Sequence, residues 1–162
     1  IGEAQLLDGH LRAPLSGRPC LAWSVHVEQL RSNGRGRSDW YPLIRDTRVV
    51  SFGLADGTGR AIVDAVGATL VLDYDTRSTS GILDDPTEAE RAFLARYKVS
   101  GKGLVFNKDL RYREAVIEIG ERIAVLGTVS RDPSSQALRI VRSEKQPLLI
   151  SDDAAVTTSP AS

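Results

Sequence analysis

Apolar and polar positions alternate with a period of two through most of this chain, and stretches with helical spacing are scarce. The clearest run is Leu21 to Glu28. Leu21, Trp23, Val25 and Val27 fall on one face of it, and Ala22, Ser24, His26 and Glu28 on the other, as in a strand with one side buried. It is entered through Ala13-Pro14-Leu15-Ser16-Gly17-Arg18-Pro19-Cys20, where two prolines fix their own φ and Gly17 allows the reversal. The same reading predicts strands over Leu6–Leu11, Leu21–Leu30, Val49–Leu54, Arg60–Asp64 and Gly67–Tyr74. Later strands are predicted over Arg111–Ile119, Arg122–Val129, Ala137–Arg142 and Leu148–Ile150. Trp40–Ile44 starts another, with Pro42 marking an edge or a bend. Asp56-Gly57-Thr58-Gly59, set between two apolar runs, predicts a tight hairpin turn.

One helix is predicted, from Thr87 to about Lys98. Asp85 is its expected cap, with Pro86 at the first helical position and Glu88 completing a capping box; Gly101 and Gly103 end it. Many short strands with one late helix predict a mainly β fold, an OB-like closed or partly open barrel with an inserted helix. Gly53 and Gly127, inside strands, fit the bends that closing a small barrel demands. A β-sandwich is the alternative. The expected organisation is one domain over 1–151 and a flexible Ser/Thr/Ala-rich tail or linker over 152–162.

Charge narrows the partners. Twenty-one basic and 21 acidic side chains give a formal net charge of zero, which argues against a dedicated nucleic-acid binder. The basic loop Arg31, Arg35 and Arg37, beside Trp40 and Tyr41, is the candidate binding feature. Such a loop holds phosphates and bases, or anionic headgroups if the domain sits beside a membrane, or is simply a solvated turn.

Candidate catalytic chemistry is sparse. A nucleophilic Cys20 needs a base close by and a lowered pKa. His26 lies six residues further along the expected strand, roughly 20 Å away at ~3.3 Å per residue, so Cys20 reads as a small apolar residue at a strand start. His10, His26 and Cys20 lack the paired spacing of a zinc site, and a single cysteine excludes an internal disulfide. Asp56-Gly57-Thr58-Gly59 has the wrong order for a catalytic aspartate motif. The expectation is a non-enzyme that needs no cofactor and no metal.

Four segments in order carry a resemblance: the opening turn and strand, Phe52 to Asp64 around the Asp56 hairpin, Leu110 to Gly127, and Gln146 to Ser151. Together they resemble the GIDE domain of the MULAN-type membrane-anchored ubiquitin ligase family, over roughly residues 6 to 151. The resemblance implies a domain held between two transmembrane helices, with a ubiquitin-transferring RING elsewhere in the eukaryotic ligases. One cysteine cannot build the zinc sites of a RING, and Gly/Arg/Ala-rich usage points to a RING-less bacterial relative. Ile1-Gly2-Glu3 does not look like a natural start. An apolar segment of ~20 residues is therefore expected before Ile1 and another beyond Ile150. The implied function is a non-catalytic, membrane-adjacent binding or regulatory module with an unknown protein partner, on the extracytoplasmic side. Single-stranded nucleic-acid binding through an OB-like face is the alternative.

Overall fold

The computed structural model describes residues 1–32, 34, 36–80, 85–97 and 109–158. In chain order the elements are β1 (Gly2–Gln5), β2 (Leu11–Arg12), β3 (Pro19–Cys20), β4 (Ala22–Ser32), β5 (Ser38–Val49), β6 (Phe52–Asp56), β7 (Gly59–Val63), β8 (Thr69–Val71) and β9 (Thr76–Ser80). There follow α1 (Glu88–Arg96), β10 (Leu110–Ile117), β11 (Arg122–Leu126), β12 (Thr128–Arg131), β13 (Leu138–Val141), β14 (Leu149–Ser151) and α2 (Ala154–Thr157). The fold is mainly β, as the alternation predicts.

Four strands in the order β5-β4-β10-β9 make one sheet. Its inner face buries Trp23, Val25 and Val27 from β4, Ile44 from β5, and Leu110, Tyr112 and Val116 from β10. Phe93 and Leu94 of α1, with Ala13 and Cys20 of the β2–β3 hairpin, belong to the same core. A fully buried acid on that face, Glu114, accepts hydrogen bonds from the backbone N–H of Leu15 (2.7 Å) and Ser16 (3.1 Å). A carboxylate is tolerated there because it satisfies the tip of the Pro14–Gly17 turn. The opening motif is thus a hairpin held down on the sheet by the buried Glu114.

The second sheet has the order β12-β13-β7-β6-β1-β11-β14-β8. It wraps a separate core of Ala4, Phe52, Leu54, Val63, Ile123, Leu148 and Ile150, and Leu21, Ala22 and Ile117 from the ends of β4 and β10 run into it. Those two long strands therefore tie the two cores together.

The sheets do not close into a barrel. The eight-stranded sheet ends in β12 on one side and β8 on the other, and no ladder joins them. The sandwich-like alternative is the one consistent with this arrangement. Gly53 and Gly127 have different uses from barrel closure. A Cβ at Gly53 would stand 2.8 Å from the Arg60 guanidinium, and one at Gly127 would stand 2.8 Å from Ile140 and 2.9 Å from Leu148. Gly127 is thus a close-packing glycine, whereas at Gly53 only the movable end of the Arg60 side chain stands in the way.

Several boundaries move. Leu6–Leu11 is mostly loop; the first strand forms earlier, between β6 and β11, where Gly2 lets the chain approach the Ala55 carbonyl. The Val49–Leu54 strand breaks at Val50-Ser51, so Val49 ends one sheet and Phe52 begins the other. Thr76–Ser80 is a strand without apolar alternation, created by pairing with β10. The 56–59 hairpin forms as predicted, but through the Asp56 carboxylate, which accepts from Thr58 N (2.8 Å), Thr58 Oγ1 (2.7 Å) and Gly59 N (3.1 Å). The helix cap is Thr87, not Asp85, and the capping box closes on Glu90, not Glu88. The side chains select the later start: Glu90 also accepts a hydrogen bond from Ser78 (2.6 Å), locking α1 to β9. The expected stop at Gly101 and Gly103 lies outside the described residues. In the expected tail, α2 forms on an Asp153 cap, and Thr157 is buried with its carbonyl accepting from Arg122 (3.1 Å).

Candidate binding face and its groove

Because side chains alternate across a strand, the four-stranded sheet turns a second row outward. From β4 this row holds Ser24, His26, Glu28 and Leu30; opposite them on β5 stand Thr47, Arg45, Pro42 and Trp40. The β10 row supplies Arg111 and Arg113, and Arg77 on β9 pairs with Arg113. Four arginines from three strands thus share one face, with Glu28 as the carboxylate among them.

Glu28 is the hub. Its Oε2 accepts from Arg111 Nε (2.8 Å), from Arg111 Nη2 (2.8 Å) and from Arg113 through Nε (3.1 Å) and Nη2. The two guanidinium groups hold the Glu28 carboxyl below its usual range, against the opposing effect of burial. Each guanidinium also lies over an aromatic ring: Arg111 at 4.5 Å from the Trp40 centroid and Arg113 at 5.0 Å from that of Tyr74. Arg45 and Arg77 make no side-chain hydrogen bond or ion pair among the described residues. Among the described residues of its strands, the face carries one carboxylate for four guanidinium groups, an excess of positive charge in a molecule of zero net charge.

The predicted cluster is divided by the same alternation. Arg31 lies over the Tyr41 ring at 5.3 Å and donates to Gln29 Oε1 (3.1 Å). Trp40 turns to the other side of the strand and joins Arg111. Arg37 is exposed near the turn, and Arg35 lies outside the described residues. Arg45, Arg77, Arg111 and Arg113 were not singled out from sequence because they are spread over 69 positions and meet only through pairing. The Leu110–Ile119 alternation, which puts Arg111 and Arg113 on one side, was the available signal.

The setting of Cys20 disfavours its thiolate. It is fully buried in the inner core, and burial, reinforced by the charge of Glu114, pushes its thiol up to about 11. The chain bends at Leu21, whose N–H bonds to Ile117 O, so Cys20 faces the inner core while His26 faces outward.

A groove of about 410 Å³ adjoins the electropositive face, between the β4–β5 outer surface and the Ala68–Leu72 segment. His26, Arg45 and Tyr74 line it. The Tyr74 hydroxyl is hydrogen-bonded to His26 Nδ1, with the rings 5.3 Å apart and edge-on. Burial, with Arg45 and Arg113 nearby, lowers the His26 pKa and so favours the neutral imidazole.

A mainly β module with a basic, aromatic-bearing sheet face and a buried thiol is the class that fold and site define. The model of the GIDE family, described as E3 ubiquitin ligase, matches residues 24–155, and the chain belongs to that family. The matched stretch contains all of the outward row, from Ser24 on β4 to Arg113 on β10. No match is found among curated proteins or among solved structures.

Proposed function

We propose that this chain is a non-catalytic binding module of a ligase-related membrane protein, and that the outward face of the four-stranded sheet is its contact surface for an acidic protein partner. The observation that carries the reading is the four-to-one excess of guanidinium over carboxylate on that face. An anionic partner supplies the missing counter-charge, and charged surfaces of this kind govern encounter and specificity. The buried, unreactive Cys20 supports a role without covalent chemistry. Family membership supports the ligase-related setting, and the membrane-adjacent position is taken from the family resemblance.

The test uses the intact parent protein. Affinity purification from membranes with and without an Arg45→Glu/Arg77→Glu change recovers a partner that the variant loses and that Arg31→Glu retains. A parent that fractionates away from membranes removes the membrane half of the reading. Equal recovery by all three proteins removes the face.

Arginines and aromatics on an open sheet also favour a second reading, single-stranded nucleic-acid binding. It ranks behind because guanidinium planes already lie over Trp40 and Tyr74, the rings on which bases would stack. Anisotropy with labelled oligonucleotides decides: tight binding that falls steeply with salt reverses the order.

A further inference from the structure

The groove beside the electropositive face has a chemistry of its own. Its polar lining consists of Ser24, His26, Arg45, Thr47, Thr69 and Tyr74, and no carboxylate lines it. Ser24 is 8% exposed, and its hydroxyl makes no hydrogen bond among the described residues. The side-chain hydroxyls of Thr47 and Thr69 and the Arg45 guanidinium are likewise without a hydrogen-bond partner there. The Ser24 hydroxyl is the accessible part of an otherwise buried residue, so its hydrogen-bonding capacity is open to the groove. The walls converge from two different sheets, β4–β5 on one side and the β8 segment on the other, so the donors meet across a cleft.

We propose that this groove binds a small ligand through a single oxyanion, a phosphate or a carboxylate, with Arg45 supplying the charge and Ser24, Thr47 and Thr69 the hydroxyl donors. The inference rests on the reading of this side of the sheet as a binding surface and gives it a defined subsite. Arg45 is suited to the task because its guanidinium is uncommitted and presents a planar fork of N–H groups to an oxyanion. Val71, exposed on the same side of β8 as Thr69, offers the apolar surface for the carbon skeleton attached to that head group. His26 senses occupancy. The groups bearing on it are Arg45 from β5, Arg113 from β10, Glu28 on its own strand and the Tyr74 hydroxyl. The cations disfavour the imidazolium, and an anion seated beside Arg45 opposes them.

The chain has two histidines, so His10 is an internal control for His26. Proton NMR of both imidazoles is followed during titration with inorganic phosphate, and separately with acetate, at constant ionic strength made up with chloride. The expected result is a saturable shift of the His26 resonances and a raised His26 pKa, with His10 unmoved. Arg45→Gln weakens the apparent affinity about tenfold or more, as loss of a charge-assisted hydrogen bond should. Thr69→Val, on the opposite wall, weakens it less, and guards against misreading a misfolded Arg45 variant. Saturation by either anion supports the site, and their ratio assigns the head group. Parallel movement of both histidines, no movement of either, or unchanged titration in both variants overturns it. None of these outcomes depends on a protein partner, so the subsite and the docking face fail separately.

Discussion

Glu114 and Cys20 share the inner core and have opposite demands on it. Glu114 is fully buried as an acceptor for two turn N–H groups, so its removal leaves both donors and the cavity behind. Glu114→Ala is expected to cost roughly 2–4 kcal/mol in urea unfolding, and to loosen the Pro14–Gly17 hairpin first in hydrogen exchange. Cys20 is buried as a thiol. Its folded pKa of about 11 lies above its ordinary value of 9.0. Its contribution to stability is therefore complete below pH 9 and is lost as pH rises through about 11. Alkylation of Cys20 at pH 8 should follow global unfolding, and Cys20→Ser should leave partner binding unchanged. Rapid alkylation of the folded protein near neutral pH would restore the thiol to consideration as a nucleophile.

The elements show where local signals suffice and where neighbours intervene. α1 needs both: the Thr87–Glu90 box satisfies its first turn, and the Ser78 hydroxyl on Glu90 ties it to β9. Thr87→Ala is expected to cost about 1 kcal/mol. Glu90→Ala should cost more, because it releases both the Thr87 backbone N–H and Ser78. Thermal melts of the two variants read the difference. β5 is an edge strand, and Pro42 is accommodated at the irregularity in the β4–β5 register between Val27 and Glu28. Gly127 marks the bend between β11 and β12, where Ile140 and Leu148 leave no room for a Cβ. Gly127→Ala should destabilise by about 1–3 kcal/mol through overpacking, an effect that a small exposed turn glycine would not show.

At the scale of the molecule, zero net charge conceals a polarised sheet. Reversing Arg45 and Arg77, which make no ion pair among the described residues, should leave the unfolding midpoint nearly unchanged while abolishing salt-sensitive binding of acidic partners. A midpoint that falls by several degrees would mean that these arginines hold the fold and not a partner. The alternating pattern by itself determined the mainly β class, the inner row of Trp23, Val25 and Val27, the hairpin at Asp56 and the presence of a helix near residue 90, because each is a local consequence of side-chain period, turn chemistry or capping. Motif order also made the family legible. Sheet closure was not legible, since it depends on whether distant edges such as β12 and β8 meet, and no local period encodes that. Nor was the polar strand β9, whose pairing is supplied by β10. The outward face lay beyond reach for the same reason: Arg45, Arg77, Arg111 and Arg113 are remote in the chain, and antiparallel register alone places them side by side. Local chemistry decided what each strand is, and only long-range pairing decided which charges it shares a surface with.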